Sequence, residues 1–291
     1  APEFEISAYA PLAGLPAFLD LSKTLALGDA RASLEELGFH LSSTASPGGS
    51  GALFLAANNL LERGQTALLR DRFWGPYQGF LQNNGIDYTT WPLLPPSGNE
   101  SHPYFAKVEF EERLEYLCSK QDKVMVWLND PAHNPTGLSM GDEGRAACLS
   151  SFVASALKNE TIGHTLLIDS AYSLYADQPH AWADTILEEI ESGMLWPENL
   201  LICIAISLSK SHTIYGLRTG ALVSIHPEED VIDRLSTVMS VTGRQTWSAA
   251  PRIAQYCVSE MHSSEEGGNA WGVERDRLKQ LLDDRRTNLK F

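Results

Sequence analysis

The chain has 291 residues, 43% of them apolar and 20% charged, with a formal net charge of −15. That balance disfavours nucleic acid as a partner, because phosphate contacts need clustered Lys and Arg, while small anions respond to local field and stay open. No apolar run approaches the roughly 18 residues of a membrane span, and Cys118, Cys148, Cys203 and Cys257 are too widely spaced for a metal pattern or a disulfide framework, which points to a reducing, cytoplasmic setting.

The first 15 residues read as loop. They carry no signal peptide and open without Met at Ala1-Pro2-Glu3-Phe4, as a fragment or processed form would. Pro16 suits a first helical turn, and Phe18, Leu19, Leu21, Leu25 and Leu27 form a helical stripe to Gly28. A strand from Phe39 to Thr44 leads into Ser46-Pro47-Gly48-Gly49-Ser50-Gly51, followed by a helix from Ala52 to Arg63 closed by Gly64. Strand, glycine-rich turn and helix N-terminus together make an anion site, although the same turn serves equally with no ligand. Thr66 to Leu69 reads as a strand. Phe73-Trp74-Gly75-Pro76-Tyr77 follows, then a helix to about Asn84 and a strand from Ile86 to Trp91. Pro92 to Pro103 is a Pro/Gly/Ser loop, the best candidate for a mobile segment. Val108 to Lys120 is a charged helix whose glutamates form a solvated face.

Val124 to Leu128 reads as a buried strand that ends in Asn129-Asp130-Pro131-Ala132-His133-Asn134-Pro135-Thr136-Gly137. A helix over 141–158 and a strand from Thr165 to Ile168 follow, the latter ending in Asp169-Ser170-Ala171-Tyr172. A helix over 180–192 leads to the apolar strand Leu200 to Ile206, which runs into Ser207-Leu208-Ser209-Lys210. A strand from Ala221 to Ile225 and helices near 227–241, 248–262 and 268–289 complete the pattern. Strands alternating with helices over short connections predict an α/β fold, a mostly parallel sheet sandwiched by helices. In such a sheet Asn134, Asp169 with Tyr172, and Lys210 stand at strand ends on one edge, where ligands bind. A partly desolvated lysine there is a candidate Schiff-base nucleophile, with Arg218 and two serines near enough to gather around a phosphate; the plain alternative is a surface loop.

Asn134-Pro135-Thr136-Gly137, Asp169-Ser170-Ala171-Tyr172 and Ser207-Leu208-Ser209-Lys210 with Gly216 and Arg218 resemble the successive motifs of the class I aminotransferases. These are pyridoxal-phosphate enzymes of fold type I, and the similarity, from Tyr9 to about Arg244, is nearest the aspartate and aromatic branch. The resemblance implies the large domain of that fold and pyridoxal 5'-phosphate as cofactor, with no metal. It implies catalytic roles for Lys210, as Schiff-base amine and then base at the substrate α-carbon, for Asp169, beside the pyridine nitrogen, and for Tyr172. Asn134 and Tyr172 would bond the ring's phenolic oxygen, and Trp74 would stack on the ring. Arg218, Ser207, Ser209, Ser50 and the Gly51 N–H would hold the phosphate. Tyr9 would reach the phosphate of the other subunit, which implies a homodimer with shared active sites. Arg244 would cross the same interface to a substrate carboxylate, with Trp74 and Asn134 also on the substrate side.

The expected activity is transfer of an amino group between an amino acid, aspartate or glutamate or an aromatic one, and a 2-oxo acid by a ping-pong route. Three departures stand out. Tyr77 and Asn129 occupy positions where the aspartate branch usually has histidines supporting the ring-nitrogen aspartate; either can hydrogen-bond, with a different tuning of Asp169, and Ala249-Ala250-Pro251 replaces the usual Asn-Pro-Pro. Residues 1–267 read as the cofactor-binding large domain and 268–291 as a helix leading toward a C-terminal small domain that the chain lacks. That domain supplies the family's α-carboxylate arginine; Arg285 and Arg286 sit on a charged helix and read as solvated. Alternatives are another fold type I reaction (a decarboxylase, a C–S lyase, a cyclopropane-forming synthase) or a non-catalytic cofactor-binding interaction protein.

Overall fold

Side chains along the central strands alternate between two cores: Val124, Val126 and Leu128 enter one, Met125 and Trp127 the other. Both faces of the sheet are covered, which is why these strands read as nearly unbroken apolar runs. The computed structural model describes residues 7–96 and 102–288. The opening segment 1–6 and positions 97–101 of the expected mobile loop lie outside the described residues.

The sheet contains β1 (His40–Pro47), β2 (Thr66–Arg70), β3 (Asp87–Trp91), β4 (Lys123–Asn129), β5 (Gly163–Asp169), β6 (Leu200–Ser207) and β7 (Thr219–His226). Their order is β1-β7-β6-β5-β4-β2-β3. Only β7 runs antiparallel to its neighbours, so the expected mostly parallel sheet is observed. One face packs on α1 (Pro16–Leu27) and α2 (Ala30–Glu36), and on α5 (Lys107–Cys118), α6 (Asp142–Lys158) and α7 (Ala181–Glu191). The other packs on α3 (Gly48–Leu60), α4 (Pro76–Asn83) and α9 (Glu229–Trp247). A single turn, α8 (Leu208–Ser211), follows β6, and α10 (Arg252–His262) and α11 (Glu265–Asn288) come last.

Three local readings are corrected. Helix α3 starts at Gly48 rather than Ala52, so the glycine-rich run is its first turn, not a turn before it. Gly48 has φ +73°, and a Cβ there would stand 2.7 Å from Arg218 Nη2; one on Gly49 would stand 2.9 Å from Ser207 Cβ. These glycines let the helix start lie directly against the end of β6. Helix α2 was not expected. Its two buried residues, Ala30 and Leu34, are too few for a periodic signal; Arg31 pins it to Asp20 of α1 and pairs with Glu35 one turn on within the helix. Lys210 stands on the short helix α8 directly after β6, so the plain alternative of a surface loop is the reading set aside.

Candidate active site

The β4–β5 register sets Asn129 opposite Asp169 at the C-terminal edge of the sheet. Asn129 ties three segments together: its Nδ2 donates to the Asp169 carbonyl at 2.8 Å, and its Oδ1 accepts the Asn134 N–H at 2.6 Å. The Asp169 carboxylate is buried. Its Oδ2 accepts from the Tyr77 hydroxyl at 2.5 Å and its Oδ1 from the Ala171 N–H at 3.1 Å. Burial pushes this carboxyl above its ordinary value, against the Tyr77 hydrogen bond, the Ala171 N–H and the charge of Lys210. Burial and the adjacent Asp169 push the Tyr77 hydroxyl well above its own usual value, so it stays a neutral donor. Tyr77 lies against Trp127 with ring centroids 4.5 Å apart, which fixes its hydroxyl on Asp169.

Across the recess, Lys210 Nζ lies 5.9 Å from the centre of the Tyr172 ring and 5.5 Å from that of Tyr215. The Tyr175 hydroxyl donates to the Lys210 carbonyl at 3.1 Å. Arg218 has a left-handed backbone, φ 48° and ψ 59°, which turns its side chain back over α8. Its Nη1 donates to Ser209 Oγ at 3.1 Å and to the Tyr215 carbonyl at 3.2 Å. Gly220 completes the wall. A Cβ there would meet the Ile206 carbonyl at 2.5 Å and Gly48 C at 2.6 Å.

Asn129, Asn134, Asp169, Tyr77, Tyr172, Lys210 and Arg218 line one recess that opens to solvent. Of the residues singled out from sequence, it brings together Ser50, Trp74, Asn134, Asp169, Tyr172, Ser207, Lys210 and Arg218. Ser209 stands just behind, buried beneath Arg218. Gly51 is in the first turn of α3 but packs toward Pro47 and Ser46 rather than lining the recess. Tyr9 and Arg244 are not brought to it. Tyr9 is 83% exposed, with its carbonyl accepting from Arg252, and Arg244 is exposed and donates to Ser248. Gly49, Leu53 and Tyr215 belong to the site and were not singled out. The signals for Gly49 and Tyr215 were positional, one inside the glycine run and the other five residues after Lys210.

The chain matches the family described as aminotransferase class I and II over residues 5–290. It is 25% identical over 278 residues to a mitochondrial aspartate aminotransferase of Dictyostelium discoideum, covering 94% of this chain and 59% of that protein. It is 26% identical over 275 residues to an aromatic-amino-acid aminotransferase of Paracoccus denitrificans, covering 93% of this chain and 63% of that protein. Among solved structures, an aminotransferase from Anaerococcus prevotii superposes with a TM-score of 0.87 at 25% identity, over 99% of this chain and 66% of that one. The chain thus spans less than two thirds of the length of each of these relatives. With nearly its whole length matched and its polar groups gathered at the strand ends, the chain belongs to the aminotransferase class I and II family.

Proposed function

We propose that the chain forms the cofactor-binding domain of a pyridoxal-phosphate-dependent aminotransferase. The carrying observation is one recess that presents an amine, a buried carboxylate and a guanidinium–hydroxyl cradle. The donor set fits the group. Among the described residues Asp169 has no ion-pair partner, and a protonated ring nitrogen would supply the positive charge that its burial calls for. Gly48 and Gly49 leave the cradle open where a Cβ would fill it. There Arg218, Ser50, Ser207 and the first-turn N–H groups of α3 suit a phosphate dianion.

When bound, pyridoxal phosphate supplies an electron sink for a substrate carbanion. The chain supplies the rest. Lys210 would offer its amine for covalent attachment and then carry the proton at the substrate α-carbon. Asp169 would hold a proton on the ring nitrogen, and Tyr77 and Asn129 hold Asp169. Asn134 and Tyr172 would orient the ring through its phenolic oxygen, and Trp74 would bound its face. Substrates on this reading are an amino acid, aspartate or glutamate or an aromatic one, and a 2-oxo acid. The names of the relatives support that range.

A homodimer is part of the proposal. The exposure of Tyr9 and Arg244, away from their own recess, suits residues that serve a partner's site. Residues 1–267 are read as the large domain and 268–291 as a helix toward a small domain; the absence of any buried residue from α11 supports the division. No helix among the described residues is long and apolar enough to cross a membrane. Four unpaired cysteines are in keeping with a reducing compartment such as the cytoplasm.

The test is the half-reaction. With pyridoxal phosphate bound, glutamate is expected to bleach the visible band and release 2-oxoglutarate in a single turnover. A band that ignores glutamate, aspartate and aromatic amino acids alike would leave cofactor binding and remove transamination.

A further inference from the structure

Lys210 sits on a helix of one turn, too short to hold itself, since a first turn fixes several dihedrals for one hydrogen bond. The chain leaves that turn under strain: Thr213 has φ +54°, a left-handed conformation unfavourable for a β-branched residue. The turn therefore depends on its anchors. Toward the recess these are the Arg218–Ser209 and Tyr175–Lys210 hydrogen bonds. Away from it the Ser211 hydroxyl donates to the Ser207 carbonyl at 3.3 Å, and the His212 N–H donates to the Leu208 carbonyl at 3.1 Å and so closes the turn.

The His212 ring is engaged on several sides. Its Nδ1 is 2.8 Å from Ser211 Oγ, and its Nε2 is 3.1 Å from Nε2 of His262, at the end of α10. It stacks on Trp271 of α11 at 4.8 Å with 15° between planes, while His262 meets the same indole edge-on at 4.9 Å. The Trp271 Nε1 is buried without a hydrogen-bond partner, so the indole serves here as a stacking surface. The α8 turn and the consecutive helices α10 and α11, some 50 residues further along the chain, thus meet at one imidazole pair directly behind the Lys210 turn.

We propose that His212 and His262 are positioning residues for Lys210, an imidazole–imidazole link that anchors the α8 turn to α10 and α11. This rests on the Lys210 role proposed above. At 3.1 Å one Nε2 must carry the shared proton and the other must accept it; a second proton would set two N–H groups against each other. Burial and the neighbouring ring favour the form without charge, with His212 pushed down to about 3 and His262 lowered by burial. The charged or titratable neighbour that acts on His212 is His262, while Glu274 and Arg275 of α11 act on Tyr175, whose hydroxyl reaches the Lys210 carbonyl. Arg275 lies over the Trp271 ring at 5.1 Å.

The experiment compares His212→Phe, which keeps the ring but loses its nitrogens, with His262→Phe and with His262→Gln, which retains an amide for the contact. Amide hydrogen exchange of residues 208–213 is measured in the chain without cofactor. The affinity for pyridoxal phosphate and the pH midpoint of its visible band are measured in the loaded chain. Each Phe variant is expected to speed exchange across 208–213, weaken cofactor binding by about tenfold and shift the band's pH midpoint. The double variant should be no worse than either single, and His262→Gln should recover most of the loss. Unchanged exchange, or single effects that simply add, would overturn the link. If wild-type chain forms no band at all, the cofactor reading fails, and the exchange comparison still decides whether the pair anchors the turn.

Discussion

The two walls of the recess are built differently. The β4–β5 wall is fixed by burial: Asp169, Asn129 and Tyr77 are all enclosed, and each polar group meets a neighbour on an adjacent strand or helix. The opposite wall, α8 with the segment up to Arg218, is one helical turn followed by mostly exposed residues, closed by the two hydrogen bonds of Arg218 Nη1. The deep wall places its charge accurately but at a cost in solvation, because a buried carboxylate with no ion-pair partner is unfavourable, and the charge of Lys210 offsets this only in part. The outer wall keeps its two cations near water, where an amine and a guanidinium are cheap to hold and free to move. A site of this kind needs a ligand that bridges the walls.

Removing the charge from the deep wall should give the largest effect. Asp169→Asn is expected to lower cofactor-dependent activity by about 10²- to 10³-fold. Yet the stability of the unloaded chain at neutral pH should hold or rise, since the burial cost disappears. Urea denaturation beside turnover measures both, and parallel losses in the two would mean Asp169 is merely structural.

The junction of the walls is the next place to strike. Gly220→Ala drives a Cβ into backbone of β6 and α3 and is expected to cost about 3 kcal/mol. Gly268→Ala is the control, because nothing lies within 4 Å of its Cβ, and it should stabilise α11 by up to about 1 kcal/mol. Thermal melts of the two variants test whether tightness is confined to the recess.

Tyr77→Phe sharpens the comparison within the deep wall. Losing a hydrogen bond to a buried carboxylate should cost about 1.5–3 kcal/mol at neutral pH. The sign with pH follows from the raised Asp169 carboxyl. Between its unfolded value of 3.8 and its higher folded value, the native state binds more protons, so this group's contribution to stability falls as pH rises through that window. Without Tyr77 the folded value climbs further and the fall extends to higher pH. A denaturation series from pH 4 to 8 reads it, and identical pH profiles for the two proteins would contradict the assignment.

Sequence reading served these regions unequally. Strands β4, β5 and β6 are apolar runs ended by polar motifs, so their existence and the convergence of Asn134, Asp169 and Lys210 could be read before any coordinates. The four residues of α8 have no periodicity to detect, and the start of α3 was hidden because glycine signals a turn more often than a helix. The resemblance alone placed Tyr77 as a support for Asp169; their bond spans 92 residues, and nothing local in the sequence pairs them. His212 lay in the very stretch around Lys210, but its partner His262 lies 50 residues on, a pairing that only the folded chain reveals.

The central claim is that Lys210 is the amine that joins the cofactor. Incubating the chain with pyridoxal phosphate, reducing with borohydride and mapping the modified peptide tests it most directly. The account predicts one pyridoxyl group, on Lys210, abolished in Lys210→Ala with the fold retained. Modification spread over exposed lysines such as Lys120 and Lys158, with Lys210 untouched, would contradict it.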